Sequence, residues 1–131
     1  FKPGALKVEL EQTQAIICEQ IGKTPALVRT PWLWRQPFVL RAIRQLGLQP
    51  VAGVFCHPKE VFGATAKQIA SSVIAQLQPG AIIIFHDGKE GVGGDRSQTI
   101  AATQLVITQA KKDDYQFVTV DQLLGVDPYQ K

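Results

Sequence analysis

The 131-residue sequence predicts an α/β fold in which helices and parallel strands alternate. The strongest observation is the run at residues 81–85, where five apolar residues follow a Pro-Gly turn, so that both faces of this strand would be buried. A second is the helical spacing of apolar residues over 5–21, with Gly22 where a helix would end. A third is the strict alternation of such segments, which is typical of right-handed crossovers between parallel strands.

The remaining elements each have a local signal. Pro37 can open the second helix, and Gly47 stops it. Thr65 and Gln68 predict a capping box at the start of the third helix. In chain order we expect a helix at 5–21, a strand at 26–29, a helix from 37, a strand at 50–55, a helix at about 64–77 and a strand at 81–85.

The last part of the chain adds one more helix and one more strand. Asp95 or Ser97 can cap a helix that continues to about Lys112. Residues 116–120 are rich in β-branched and aromatic side chains and predict the last strand, after which Asp121 caps a short helical turn.

Composition narrows the function classes. The net charge of +3 is small and dispersed, which argues against a nucleic-acid partner, and no apolar run has the length of a membrane span. The chain starts without Met and without a signal or transit peptide, so we expect a processed chain or a cut piece. Cys18 and Cys56 form no metal motif, and we expect both to be buried free thiols.

Polar side chains follow three of the predicted strands. Arg29 follows the first strand, Glu60 lies in the loop after the second, and His86 directly follows the third. Because the carboxyl ends of parallel strands meet at one edge, we expect these three side chains to converge there. His86 suits catalysis, since an imidazole titrates near neutrality, but a structural histidine at a strand end fits equally well. Arg29 could be a surface ion-pair partner, and His57 is expected to be a loop histidine.

Three segments resemble the polysaccharide deacetylase family, the NodB-homology fold of carbohydrate esterases. They match its Arg-x-Pro-aromatic motif, its Leu-x-His motif with Ile in place of Leu, and its closing helix and strand. The matching segments are Arg29-Thr30-Pro31-Trp32, the run from Pro79-Gly80 to Ile84-Phe85-His86-Asp87-Gly88, and Gly94-Asp95-Arg96-Ser97-Gln98-Thr99 followed by Phe117-Val118-Thr119-Val120.

The resemblance implies that residues 1–131 are the carboxyl-terminal part of one distorted (β/α) barrel. It implies a hydrolase that removes acetyl groups from N-acetylated, or sometimes O-acetylated, polysaccharide such as chitin oligomers or peptidoglycan. It also implies a divalent metal, commonly zinc, in the complete domain and a location outside the cytoplasm or in the cell envelope.

The same resemblance implies roles for particular residues. His86 would be the general acid that protonates the leaving amine, and Arg29 would hold the carboxylate of the general base. Trp32 would line the sugar groove, and Ile84 would pack against the acetyl methyl group. The family's Asp-Trp pair is replaced by Glu60 and Val61, and Glu60 would stabilise the protonated form of His86. Phe62 could partly replace the missing tryptophan.

The family's Asp-Asp and His-x-x-x-His motifs, which would supply the base and the metal ligands, have no counterpart in this sequence. We therefore expect the chain to bind no catalytic metal and to be inactive alone. Its sheet edges would pair with a missing amino-terminal part or with a second copy. Two alternatives stay open: a non-catalytic carbohydrate-binding or structural domain of the same fold, and an unrelated α/β domain that binds an anion at the loop from Gly91 to Gly94.

Overall fold

The computed structural model describes residues 3–88 and 94–131. They form two units, of which unit 1 comprises the chain up to Ala52 together with Asp121–Lys131, and unit 2 comprises Gly53–Val120. In chain order the elements are α1 (Pro3–Ile21), β1 (Leu27–Val28), a 3-10 turn (Pro31–Leu33), α2 (Pro37–Gln45), β2 (Gln49–Pro50), β3 (Val54–Phe55), a second 3-10 turn (Glu60–Phe62), α3 (Ala66–Ile74), β4 (Ile83–Ile84), α4 (Ser97–Lys112) and α5 (Val120–Leu124).

Unit 1 is built on one parallel strand pair and two helices. Leu27 of β1 lies opposite Gln49 of β2 in this pair. Helix α1 ends as its sequence predicts, because Gly22 adopts a φ of 68° and donates its N–H to the Cys18 carbonyl at 2.8 Å. The buried cluster of unit 1 consists of Val39, Ile43 and Leu48, against which Leu6 and Leu10 of α1 pack.

Unit 2 is built on a second parallel pair, in which Phe55 of β3 lies opposite Ile84 of β4. Helices α3 and α4 pack against each other, and the predicted capping box at Thr65 and Gln68 is confirmed. A Cβ on Gly53 would lie 2.7 Å from the Ile82 carbonyl oxygen, so glycine permits the close approach of the backbones there. The buried cluster of unit 2 consists of Cys56, Ala64, Ile69, Ala70, Val73, Ala102 and Val106.

The strands predicted at 50–55, 116–120 and 81–85 differ from the strands of the structure. The strand predicted at 50–55 is divided, because β2 pairs with β1 whereas β3 pairs with β4. Residues 116–119 form no strand, and Val120 already begins α5, so Asp121 lies inside that helix and does not precede it. The strand predicted at 81–85 is shorter than expected, because only Ile83–Ile84 is paired, and it is not fully buried, because only Ile84 is buried and the other four residues are half-buried.

Four smaller predictions concern the start of α4, the two cysteines, the glycine-rich loop and membrane spans. The cap predicted at Asp95 or Ser97 is wrong, because Arg96 is the N-cap of α4 and its side chain forms no capping hydrogen bond. Asp95 instead accepts hydrogen bonds from the backbone N–H and the hydroxyl of Ser97 at 2.8 and 3.0 Å. Both cysteines are free thiols, but Cys18 is half-buried, whereas Cys56 is fully buried. Apart from Gly94, the glycine-rich loop lies outside the described residues. None of the helices in the described ranges has the length and hydropathy that a membrane crossing needs.

Candidate active site

The centre of the candidate site is the carboxylate of Glu60, which begins the second 3-10 turn in unit 2. Its backbone N–H donates to the His57 carbonyl at 3.2 Å, and Gly63, at a φ of 96°, ends the turn. This turn directs the side chain inward, where only 2% of it is exposed. A carboxylate is rarely buried without partners, so the groups around Glu60 decide whether it is charged.

His86 supplies two of those partners. Its backbone N–H donates to Oε1 of Glu60 at 3.0 Å, and its Nδ1 lies 2.7 Å from Oε2. An ionised carboxylate only accepts hydrogen bonds, so Nδ1 carries a proton and donates it. Nε2 then faces away from the carboxylate on a side chain that is 44% exposed. The convergence of Glu60 and His86 predicted from the sequence is therefore confirmed.

Two further donors complete the surroundings of Glu60. The hydroxyl of Thr99, in the first turn of α4, donates to Oε1 at 3.0 Å, and Thr99 is buried. The thiol of Cys56, directly after β3, acts on the same carboxylate as a further, weak donor. A carboxylate has about four acceptor sites, and the N–H and O–H donors of His86 and Thr99 occupy most of them.

The pKa values of this cluster follow from burial and hydrogen bonding. Burial acts to raise the pKa of Glu60, but the hydrogen bonds from the backbone and ring of His86, from Cys56 and from Thr99 together outweigh burial and lower it. Burial raises the pKa of the Cys56 thiol to about 12, and the negative charge of Glu60 adds to this rise. The cluster therefore consists of an ionised carboxylate beside a neutral thiol.

The His86 ring is also held from one face. The Phe55 ring lies almost parallel to it, with an interplanar angle of 5° and 6.0 Å between centroids. Offset stacking of this kind restricts rotation of the imidazole about its χ2 angle. With Nδ1 bound to Glu60 and one face against Phe55, Nε2 is the ring nitrogen left to exchange a proton with a ligand.

Arg29 and Trp32 lie in unit 1. Arg29 directly follows β1 and is exposed, and its guanidinium forms no ion pair with the described residues. Trp32 lies in the first 3-10 turn at a φ of 50°, is 72% exposed, and has its ring 6.0 Å from that of Trp34. Positive φ is uncommon for such a residue and typical of functional loops. That Arg29 converges with Glu60 and His86 stays a prediction.

Ile84 and His57 lie in unit 2. Ile84 is buried in β4, two residues before His86, with a Cγ1 that would lie 3.1 Å from a Cβ on Gly53. His57 is a loop histidine, as predicted, and its Nδ1 accepts the N–H of Lys59 at 3.0 Å. Phe62 is 79% exposed at the end of the turn that Glu60 begins.

The divalent metal that the resemblance implies does not fit the residues described. Within 3–88 and 94–131 there is no group of three or more His, Cys, Asp or Glu side chains that could hold a metal ion. A hydrolytic zinc site needs three protein ligands. Three hydrogen bonds already occupy the Glu60 carboxylate, and His86 offers only Nε2.

The sequence interpretation missed three members of the cluster: Thr99, Cys56 and Phe55. Cys56 follows a strand, as the other predicted site residues do, but its apolar neighbours favoured a passive thiol. Phe55 is the last residue of β3, and its apolar side chain at the end of a strand gives no sign of a functional contact. Thr99 lies in a motif segment, and no local pattern shows that its hydroxyl meets a carboxylate 39 residues away.

Comparisons with known proteins agree with the family resemblance that the motifs indicate. The chain is 33% identical over 107 residues to a peptidoglycan-N-acetylglucosamine deacetylase of Bacillus cereus, and this match covers 81% of the chain and 48% of that protein. The chain thus spans about half the length of this curated relative. No family model matches.

Solved structures agree on the fold. A family 4 acetyl xylan esterase from Clostridium thermocellum, in complex with a cobalt ion, matches with a TM-score of 0.80 at 26% identity, over 98% of this chain and 60% of its own. The chitin deacetylase of Colletotrichum lindemuthianum matches with a TM-score of 0.81 at 19% identity, over 99% of this chain and 59% of its own. The predicted fold class, part of a distorted (β/α) barrel, is confirmed.

Proposed function

We propose, from the premise that this chain belongs to the polysaccharide deacetylase family, that it forms part of a hydrolase that removes acetyl groups from N-acetylated polysaccharide. The substrate class is peptidoglycan or chitin oligomers, or an O-acetylated polymer in the same groove. The observation that carries the proposal is the 2.7 Å contact between Nδ1 of His86 and Oε2 of Glu60. It fixes one nitrogen of an exposed imidazole and leaves the other for a substrate.

The proposed chemistry is hydrolysis of the acetamide C–N bond. The general base of the complete domain takes a proton from the water that adds to the acetyl carbon. The C–N bond then breaks to release acetate, and Nε2 of protonated His86 gives its proton to the departing amine nitrogen. Glu60 stabilises the imidazolium through Nδ1 and keeps the ring in one orientation. Because the lowered pKa of Glu60 keeps it ionised, it does not compete for the proton that His86 transfers.

Three further residues have proposed roles in the site: Trp32 and Ile84 toward the substrate, and Arg29 toward the general base. Exposure of the Trp32 ring supports stacking on a pyranose ring. Arg29 would hold the carboxylate of the general base, and its lack of an ion pair with the described residues leaves its guanidinium available for this. Ile84, on the strand that leads to His86, would contact the acetyl methyl group.

We also propose that residues 1–131 are part of a single catalytic domain. The remaining part would supply the general base and the ligands of a divalent metal, zinc by the family resemblance, which in such a domain supplies an activated water. The described residues of this chain do not fit that role. The sheet edges of this chain would pair with that part or with a second copy, and the location would be extracytoplasmic.

The test is the release of free amines from chitin oligomers and from peptidoglycan by the complete domain that carries this chain. His86→Ala is expected to lower turnover by about two or more orders of magnitude, the usual range for general acid catalysis. His57→Ala is the matched control, because His57 is the other of the two histidines in the chain and its side chain forms a local turn contact with Lys59. Near-normal turnover of His86→Ala would refute the role of His86.

One alternative has an observation in its favour. The exposed Trp32, beside Trp34, would suit a carbohydrate-binding domain without catalysis. Binding of chitin oligomers that Trp32→Ala abolishes, without amine release by the complete domain, would establish this alternative and exclude the hydrolase.

A further inference from the structure

The hydroxyl of Thr99 contacts the buried carboxylate of Glu60, the most enclosed polar group of the cluster. Thr99 is 7% exposed and lies in the first turn of α4, from which its Oγ1 reaches Oε1 of Glu60 at 3.0 Å. Within residues 3–88 and 94–131 the Thr99 hydroxyl has this one hydrogen-bond partner, so its hydrogen is directed at the carboxylate. A buried hydroxyl needs a partner, and here the partner is charged.

The two oxygens of Glu60 are used unequally. Oε1 accepts from Thr99 and from the His86 backbone, whereas Oε2 lies against Nδ1 of His86. With Oε1 held by two donors, the carboxylate cannot rotate to exchange its oxygens without breaking both bonds. Oε2 is therefore presented to the imidazole at a fixed angle.

We infer that Thr99 is a positioning residue of the proposed deacetylase: its hydroxyl holds the Glu60 carboxylate so that the Nδ1 proton of His86 stays in place. The inference rests on the proposed function, and it assigns to α4 a part in the proton transfer through the contact of Thr99 with Glu60.

The anchor of Thr99 is itself rigid. Helix α4 packs along α3, and the Gln98 side chain next to Thr99 accepts the N–H of Ala66, at the start of α3, at 2.8 Å. The first turns of both helices are thereby joined beside the carboxylate. A threonine in this turn is held by two helices, whereas a loop residue would be free to follow the movements of Glu60.

Charges around Glu60 come from a small set of groups. Within the described ranges, the titratable groups that face it are His86, after β4, and Cys56, after β3. From α4 the facing group is the uncharged Thr99, and the charged residues just before that helix are Asp95 and Arg96, of which Asp95 is bonded to Ser97. The hydroxyl of Thr99 is thus a neutral donor from α4 that favours the ionised carboxylate without adding a charge beside it.

The test substitutes Thr99→Val, which keeps the shape of the side chain and removes the donor. Carbon-13 NMR of the Glu60 carboxyl in the 131-residue chain is expected to show its titration midpoint rise by roughly half to one pH unit, as the loss of one hydrogen bond requires. Thr99→Ser, which keeps the hydroxyl, is expected to have a Glu60 midpoint close to that of the unsubstituted chain.

Thr103→Val is the matched control. Thr103 is in the same helix, and its hydroxyl donates at 2.8 Å to the Thr99 backbone carbonyl, a local contact that does not involve Glu60. Its Glu60 midpoint is expected to equal that of the unsubstituted chain. Equal midpoints in Thr99→Val and in the unsubstituted chain, with native amide spectra in both, would overturn the inference.

Turnover of the complete domain separates this inference from the proposed function. If the domain is active, Thr99→Val is expected to lower kcat about tenfold with KM unchanged and to move the acid limb of the pH profile, while Thr103→Val has neither effect. An unchanged kcat and profile in Thr99→Val would overturn the inference while the proposed function stands. Absence of amine release by the unsubstituted domain would refute the function, and the carboxyl titration would still decide whether Thr99 holds Glu60.

Discussion

The two units bury different kinds of side chain. Unit 2 encloses an ionised carboxylate and a thiol beside an apolar cluster that joins α3 and α4. In unit 1, α1 contributes Leu6 and Leu10 to a smaller cluster while Val8 and Ile16 of the same helix are 48% and 60% exposed. Burial fixes side chains, so unit 2 is built to hold the Glu60 carboxylate in one geometry, whereas α1 presents apolar surface that other chain segments could cover.

The largest expected effect distinguishes a buried isoleucine of unit 2 from an exposed one of unit 1. Ile69 in α3 is fully buried, so Ile69→Ala removes packed methyl groups and leaves a cavity, which is expected to lower the free energy of unfolding by about 2–5 kcal/mol. Ile16→Ala in α1, where Ile16 is 60% exposed, is expected to change it by less than about 0.5 kcal/mol. Urea denaturation of both variants measures the difference.

Equal losses in the two variants would contradict the comparison, because they would mean that Ile16 is covered in solution. In that case the oligomeric state of the Ile16→Ala variant should also be measured. A self-association that Ile16→Ala weakens would show that the exposed face of α1 meets a second copy.

The pH dependence of stability tests whether the buried carboxylate of unit 2 is charged. The folded pKa of Glu60 lies below its ordinary value of 4.5, so folding releases protons that the unfolded chain would bind. The stability that Glu60 contributes is expected to be complete above pH 4.5 and to be lost as the pH falls through its folded pKa. Unfolding free energies measured downward from neutral pH are expected to decline less steeply in Glu60→Gln.

Asp95 provides the control for this experiment. It also has a lowered pKa, because the backbone N–H and then the hydroxyl of Ser97 bond to it, but it is fully exposed. Solvent screening weakens such contributions, so Asp95→Asn is expected to alter the acid slope less than Glu60→Gln. The reverse order would show that Glu60 is not the buried charge that unit 2 protects.

The sequence predicts the helices well and the strands less well, for a physical reason. The capping box at Thr65 and the terminal Gly22 act within a few residues, so the sequence alone reveals them. Strand pairing depends on distant partners: residues 116–119 have the composition of a strand, yet they form no pairing. The division of the strand predicted at 50–55 likewise depends on β1 and β4.

The candidate site was likewise predictable only in part. That His86 and Glu60 would meet follows from the rule that strand ends share an edge, and the contact is confirmed. Thr99 was not predictable, because its role depends on where the start of α4 lies in three dimensions. Residues that hold a charged group from a distant helix leave no local pattern in the sequence.

The smallest expected effect on stability comes from the residues that follow the two long helices. A glycine with positive φ follows α1 in unit 1, whereas an aspartate with positive φ follows the end of α4 in unit 2. Gly22 follows α1 at a φ of 68°, and a Cβ there would meet no atom within 4 Å, so Gly22→Ala is expected to lower the free energy of unfolding by about 1 kcal/mol through backbone strain alone. Asp114 follows Asp113, the residue that caps α4, at a φ of 59°, where a side chain costs energy and a negative charge opposes the helix dipole. Asp114→Gly is therefore expected to stabilise unit 2 by about 0.5–1 kcal/mol, and Asp114→Asn, which removes the charge and tolerates positive φ, by less. Thermal denaturation of the three variants checks the signs, and a loss of stability in Asp114→Gly would show that the Asp114 side chain contributes more than its strained backbone costs.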